Sequence, residues 1–281
     1  MAEIKKAFVC GDPIKHSRSP LIHGHWLDQY NIKGSYEAVA VSPDELPQFM
    51  RRMIEDDWAG GNFTIPHKQA VFERLDNVDD AACAIGAVNT VWIESGKLCG
   101  GNTDAYGFAA NLDAQVPLWR SAQTAMVFGA GGAARAVVFA LLTAGIGKIF
   151  LVNRTLERAE ELANSFGIAV NAMNWDDAAA KLPEADLLIN TTSLGMDGQP
   201  AFPLELSNAR IDAIASDIVY VPLETPFLAM AKMRGLQTSD GLGMLLHQAT
   251  PGFEKWFGLK PQVDEVLRQR IIDDLNGGTK Q

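Results

Sequence analysis

What this chain has little of narrows its chemistry first. Its three cysteines, Cys10, Cys83 and Cys99, are odd in number and widely spaced, so they fit neither a disulfide framework nor a zinc pattern. Its five histidines include no HExxH motif, and His23 and His25, two apart, cannot share a helix face. No metal is expected. No basic run is present, and the formal net charge of −10 argues against a general nucleic-acid binder. The richest apolar tract, Ala136 to Gly147 between Arg135 and Lys148, is too short to span a bilayer. Only a few apolar residues separate the N-terminus from Gly11, Asp12 and Pro13, so no signal peptide is read. There is no internal repeat and no low-complexity linker. Together these absences point to a reduced, cytoplasmic protein.

What is present suffices for packed cores. The 281 residues, 47% hydrophobic and 21% charged, suggest about two domains. Lys6 to Gly11 reads as a short buried strand, and Ser19-Pro20 as a helix start with Leu21, Ile22, Trp26 and Tyr30 on its apolar face. Tyr36 to Val41 reads as a strand, and Ser42-Pro43-Asp44-Glu45 as a capping box before Leu46, Phe49, Met50, Met53 and Ile54. Gly60-Gly61 then leads into a further strand, Asn62 to Ile65. The alternation predicts an α/β fold. Ser19 serves as an N-cap, but capping does not account for Ser17. Two hydroxyls beside a helix N-terminus make a site for a carboxylate or phosphate.

Pro66 reads as the first residue of a helix running through Gln69, Val71 and Leu75, which places Lys68 in the first turn. The macrodipole disfavours a cation there. With Asn62 and Thr64 at the same end, Lys68 is a candidate proton donor or acceptor; a solvated lysine after a proline turn is the plainer account. Asn89 lies at the start of a strand in Gly86 to Ile93. Asp104 either caps the helical run Ala105 to Leu112 or aims a carboxylate into a cleft beside Lys68.

A second unit opens at Thr124. The strand Ala125 to Phe128, the turn Gly129-Ala130-Gly131-Gly132-Ala133 and a helix to Ala144 precede another strand, Lys148 to Val152. This is a dinucleotide-binding pattern with alanine in the third glycine slot, and the pyrophosphate would rest on amides around Gly131, Gly132 and Ala133. A protein specific for NAD would place an acid at the end of the second strand; here stand Asn153, Arg154 and Thr155, with Arg158 one turn on. That set suits a 2′-phosphate, so the expected cofactor is NADP. Strand-like stretches at Asp186 to Ile189, Ile214 to Tyr220 and Gly235 to Thr238 each lead into polar or glycine-rich loops, where open α/β sheets bind ligands. Gly241 to Gln248 enters a final helical segment anchored by Phe253, Trp256 and Phe257, and Gly277 to Gln281 reads as a frayed tail.

Taken together, Ser17-Arg18-Ser19-Pro20, Asn62 to Lys68, Gly86 to Thr90, Asn102-Thr103-Asp104, Gly129 to Ala133, Asn153-Arg154-Thr155 and Gly241 to Gln248 resemble the shikimate dehydrogenase family. The matches fall in family order from Ser17 to Trp256. The resemblance implies an enzyme that interconverts 3-dehydroshikimate and shikimate with NADP, serving chorismate and aromatic amino-acid biosynthesis. It implies two α/β domains with a cleft between them: a substrate domain of residues 1–104 completed by 241–281, and a Rossmann-like NADP domain of residues 105–240. By the same resemblance, Ser17 and Ser19 would bind the substrate carboxylate, and Asn62, Thr64, Asn89, Tyr220 and Gln248 would contact the ring substituents and carboxylate surroundings. Lys68 and Asp104 would form the catalytic pair, with the proton transfer leaning towards Lys68. Val219 and Gly241 would lie near the nicotinamide, and Asp80 would approach the cofactor. Arg18 departs from the apolar residue frequent in the family. The expected partner is the small-molecule substrate, with no nucleic acid and no membrane, in a monomer or homodimer. The competing readings are a quinate/shikimate dehydrogenase of broader choice and a non-catalytic NADP-sensing protein.

Overall fold

The structure, a computed structural model, describes residues 4–196 and 198–277. Of the tail expected to fray, Gly277 is instead the last residue of a helix, and residues 278–281 lie outside the described residues, as do the first three residues of the N-terminal stretch. The chain divides into two compact units, Met1–Thr103 with Gln248–Gln281, and Asp104–His247.

The first unit runs β1 (Lys5–Gly11), α1 (Ser19–Gln29), β2 (Gly34–Ala40), α2 (Leu46–Arg52), β3 (Trp58–Phe63), α3 (Lys68–Phe72), β4 (Asn77–Val78), α4 (Asp80–Ile85), β5 (Thr90–Glu94) and β6 (Lys97–Gly101). Its six strands form one mixed sheet in the order β2-β1-β3-β5-β6-β4. β1 pairs in parallel with both β2 and β3, while β5 is antiparallel to β3 and to β6. β1 is buried on both faces, which is why it reads as an apolar run rather than an alternation. Phe8 and Cys10 pack with Leu46, Met50 and Phe63 on one side. There Phe49, Trp58 and Phe63 meet the Phe8 ring edge-on, with centroids 5.0, 5.1 and 5.4 Å away.

The second unit contains α5 (Asp104–Gln115), β7 (Thr124–Phe128), α6 (Gly132–Thr143), β8 (Lys148–Val152), α7 (Leu156–Phe166), β9 (Val170–Met173), α8 (Trp175–Lys181), β10 (Leu187–Asn190), β11 (Ile214–Asp217), α9 (Pro226–Met233), β12 (Gln237–Ser239) and α10 (Leu242–His247). Its sheet is wholly parallel in the order β12-β11-β10-β7-β8-β9. Counted from β7, this is the doubly wound order of dinucleotide-binding folds, with the topological switch between β7 and β10. Phe128 anchors one face, stacked on Trp175 at 5.3 Å and edge-on to Phe202 at 5.0 Å.

The chain then returns to the first unit with α11 (Ala249–Phe257) and α12 (Glu265–Gly277). Trp256 of α11 donates its Nε1–H to Val91 O at 2.9 Å. Its indole lies where a side chain at Gly60 would have to go, so that strand position takes no Cβ.

The α/β class is as expected, but several local readings change. Pro66 does not start the helix. His67 N–H closes a turn onto Thr64 O at 2.8 Å, and α3 opens only at Lys68 and ends at Phe72. Gly60 and Gly61 lie inside β3 rather than before it. The expected strand from Gly86 is shorter: Gly86, at φ 74°, ends α4, and β5 starts at Thr90. Ser95 and Gly96, both at positive φ, close a β5–β6 hairpin that the sequence reading missed. In the capping box Glu45 accepts the Ser42 N–H at 3.0 Å, but the Ser42 hydroxyl donates to Glu45 as well, so the box is half formed. The final helical segment is three helices. No helix among the described residues is long and apolar enough to cross a membrane.

Candidate active site

In the first unit, the loops leaving β1 and β3 are stitched together at their carboxyl ends. Thr64 N–H donates to Cys10 O at 2.9 Å and Asp12 N–H to Ile65 O at 3.2 Å. A Cβ on Gly11 would strike Thr64 and the Ile65 carbonyl, so the approach of the two loops depends on that glycine.

The first of these loops delivers the two serines. Ser19 is not the cap. The N-cap position is Arg18, in helical conformation, and Ser19 is the first residue of α1. Ser17, which capping was not expected to explain, accepts the Ser19 N–H on its Oγ at 3.3 Å. That leaves the Ser17 hydroxyl proton without an acceptor among the described residues. The Ser19 hydroxyl is buried beside the Tyr36 phenol and works against the rise that burial imposes on its pKa. Burial holds the Tyr36 phenol well above its usual range, so it stays protonated and donates to Asn62 Oδ1 at 2.6 Å.

From Asn62 a buried hydrogen-bond chain continues. Its Nδ2 donates to Asn89 O and to Thr90 Oγ1, both at 3.0 Å. Asn62 is therefore largely a strut, with one lone pair of Oδ1 as its remaining capacity. Thr90 Oγ1 donates to Asn89 Oδ1 at 2.9 Å, and the same oxygen accepts the Thr103 N–H at 2.9 Å. The carbonyl end of the Asn89 side chain is thus occupied. The Thr103 hydroxyl serves Asn89 Oδ1 at 3.2 Å or Gln248 Oε1 at 3.4 Å. Tyr36, Thr90 and Thr103 belong to this network, yet the sequence reading assigned them nothing. Their partners lie far away in the chain, and only the strand pairings bring them together.

Lys68 stands at the first position of α3, half-buried, with its carbonyl accepting the Val88 N–H at 2.9 Å. Its neighbour His67 is buried, and its Nε2 lies 2.8 Å from Val41 O, anchoring the turn that presents the lysine. The five residues of α3 make little more than one turn, so a macrodipole contributes less to the lysine than the longer expected helix would have done. Asp104 is the first residue of α5, half-buried, and follows directly on the tethered Thr103. Asp80 is exposed at the start of α4 in the first unit. The other residues expected at the cofactor belong to the second.

In the second unit, the turn after β7 has the form of an anion cradle. α6 begins at Gly132 with Gly131 as a cap that offers no side chain, and a Cβ at either glycine would meet nothing within 4 Å. Gly129 is different: at φ 109° it is pressed against Thr191 and Thr192 of the loop after β10. Exposed backbone amides at an uncapped helix start suit a pyrophosphate. At the end of β8, Asn153 Nδ2 donates to Thr155 O at 2.8 Å, shaping the turn. Thr155 is the N-cap of α7, but its side chain makes no cap bond. Arg154 and Arg158 are exposed and make no ion pair among the described residues, so both guanidiniums can serve a phosphate. The residues present therefore fit NADP. Gly241 abuts the Ile218 and Val219 carbonyls so closely that no Cβ can be added, which brings two of the residues expected at the nicotinamide together. The Tyr220 side chain is half-buried on the same loop.

Comparison with known proteins follows the same division. The model of the shikimate dehydrogenase substrate binding domain matches residues 9–91, that of shikimate/quinate 5-dehydrogenase residues 114–195, and that of the shikimate 5′-dehydrogenase C-terminal domain residues 241–269. Shikimate dehydrogenase (NADP(+)) of Brucella canis is 58% identical over 278 residues, covering 98% of this chain and 96% of its own. Shikimate 5-dehydrogenase from Thermus thermophilus, solved in complex with NADP(H) and shikimate, superposes with a TM-score of 0.84 at 38% identity, over 97% of this chain and 100% of that one. Quinate dehydrogenase from Corynebacterium glutamicum, solved in complex with NAD, superposes with a TM-score of 0.87 at 30% identity, over 96% and 99%.

Proposed function

The chain belongs to the shikimate dehydrogenase family, and from that premise we propose that it reduces 3-dehydroshikimate reversibly to shikimate through the residue pair Lys68 and Asp104. It is an NADP-dependent oxidoreductase of the shikimate pathway. The observation that carries the assignment of residues is the buried chain from Tyr36 through Asn62 and Asn89 to Thr103, with Gln248 within reach of the Thr103 hydroxyl. Donors and acceptors held in place before substrate arrives suit a polyhydroxylated ring, because the ordering cost is already met.

NADPH supplies the hydride when bound. The ring carbonyl then gains a C–H bond, its π electrons move to oxygen, and that oxygen takes a proton. Lys68 as an ammonium donates it and offsets the charge as it develops; the neutral amine is reprotonated from solvent. Asp104 is the carboxylate partner, favouring the charged lysine. Ser17 donates to the substrate carboxylate, with Ser19, Thr64, Asn89, Tyr220 and Gln248 as further contacts. The glycine turn Gly129 to Ala133 carries the pyrophosphate, and Asn153, Arg154, Thr155 and Arg158 the 2′-phosphate. Val219 and Gly241 would lie near the nicotinamide, and Asp80 would approach the cofactor. On this reading the enzyme works in the cytoplasm as a monomer or homodimer without nucleic acid.

The deciding experiment follows absorbance at the NADPH band with 3-dehydroshikimate, shikimate and quinate against both dinucleotides. Turnover of the first two with NADP is expected. Robust quinate oxidation with NAD overturns both choices and makes the chain a broad quinate/shikimate dehydrogenase.

A further inference from the structure

Asp217 ends β11 fully buried, and its carboxylate has no cationic partner among the described residues. Its Oδ1 accepts from Val219 N–H at 2.9 Å and from Asn190 Nδ2 at 3.1 Å. Its Oδ2 accepts from Thr225 Oγ1 at 2.7 Å and again from Asn190 Nδ2 at 3.1 Å. Every group facing it is a donor. Burial pushes its pKa up, whereas these bonds oppose that rise by favouring the ionised form. A buried carboxylate without a counter-charge is costly, and four donor contacts converging on it are what make it tolerable.

Each donor belongs to a different piece of the carboxyl end of the sheet. Val219 is in the loop after β11, and Thr225 caps α9 by accepting the Leu228 N–H at 3.3 Å. Asn190 ends β10, and its Oδ1 accepts from Thr192 Oγ1 at 2.7 Å and Thr192 N–H at 3.0 Å, which shapes the loop that packs against Gly129. One carboxylate thus ties the loop after β11 to the loop after β10 and, through it, to the glycine turn after β7. No other side chain of this size offers two oxygens with no donor of its own. An asparagine would turn an NH2 towards Val219 N–H, Thr225 Oγ1 or Asn190 Nδ2.

We propose that Asp217 is a positioning residue that holds the Val219 backbone at the depth from which the nicotinamide presents its hydride. The proposal rests on the reading that Val219 faces the nicotinamide. Its force is geometric: a misplacement on the order of 1 Å costs about 10²-fold in rate while binding contacts elsewhere survive.

The test uses the whole chain carrying Asp217→Asn. Three readouts are compared with wild type: amide exchange of Val219 without ligand by NMR, NADP affinity by titration, and turnover with NADPH deuterated at the transferred position. Expected are Val219 exchange about 10-fold faster, with Ile214 to Ser216 unchanged, and NADP affinity within about 3-fold of wild type. Turnover should fall about 30-fold with a larger isotope effect on kcat, since hydride transfer itself has slowed. Unchanged exchange, or faster exchange with wild-type turnover and isotope effect, overturns the proposal. Should Asp217→Asn fail to fold, Thr225→Val removes one of the four bonds. A smaller change in the same direction is then expected, and none overturns the proposal. A wild-type protein that neither binds NADP nor turns over signals failure of the underlying reading instead.

Discussion

His23 lies flat against Tyr36, with ring centroids 3.9 Å apart and planes 15° from parallel, and neither of its ring nitrogens has a hydrogen-bond partner among the described residues. Phe253 stacks on it at 5.9 Å, so an imidazole is used as an aromatic plate. Desolvation pulls its pKa down from 6.5 to about 3. Between those values the unfolded chain binds more protons than the native one, so stability is lost as pH falls through that window, at up to about 1.4 kcal/mol per pH unit. Above the upper value His23 contributes no slope. Replacing it with phenylalanine should flatten the acid limb and raise stability at pH 5 by about 2 kcal/mol relative to wild type. Urea midpoints at pH 5 and pH 8 check this; an unaltered difference between them rules His23 out as the source.

The two serines should prove unequal. Ser17 has a proton to give, whereas the buried Ser19 hydroxyl is turned to the Tyr36 phenol. Ser17→Ala is expected to weaken shikimate binding about 10-fold, and Ser19→Ala about 3-fold. Ser19→Ala should also lower the unfolding midpoint, because the buried Tyr36 phenol loses a hydrogen-bond partner. Calorimetric titration of both variants decides, and equal losses would count against the assignment.

Lys68→Ala should reduce turnover by about 10²-fold or more with little loss of NADP affinity. Steady-state rates beside a dinucleotide titration test the split. Near-normal turnover takes Lys68 out of proton transfer.

How much of this was legible beforehand depended on range. The parallel strands β7, β8 and β10 are buried on both faces and announce themselves as apolar runs, and the glycine turn between β7 and α6 sits where the pattern demands. β9, half polar at the edge of its sheet, carried no such signal. Nor did α4, whose start depends on Asp79 accepting the Ala82 N–H. That Ser19 is not the cap was invisible because it turns on the backbone angles of Arg18. Lys68, Asn89 and Gln248 stood in motifs. Tyr36 and Asp217 did not, since their value comes from partners that only strand pairing supplies.

For the cofactor, Arg154 and Arg158 lack carboxylate partners among the described residues, so removing their charge sacrifices no internal ion pair there. Arg154→Ala should weaken NADP by about 10-fold and leave NAD binding unchanged, and the double variant with Arg158→Ala should lose more. Parallel titrations with the two dinucleotides provide the check. An equal loss for both would move these side chains away from the 2′-phosphate.

The indole of Trp256 closes over Gly60 and hydrogen-bonds the Val91 carbonyl. On a ribosome, Gly60 emerges long before that ring does, and the whole of Asp104–His247 is translated in the interval. The dinucleotide half can therefore finish folding on the nascent chain while the sheet that precedes it still waits for its covering helix.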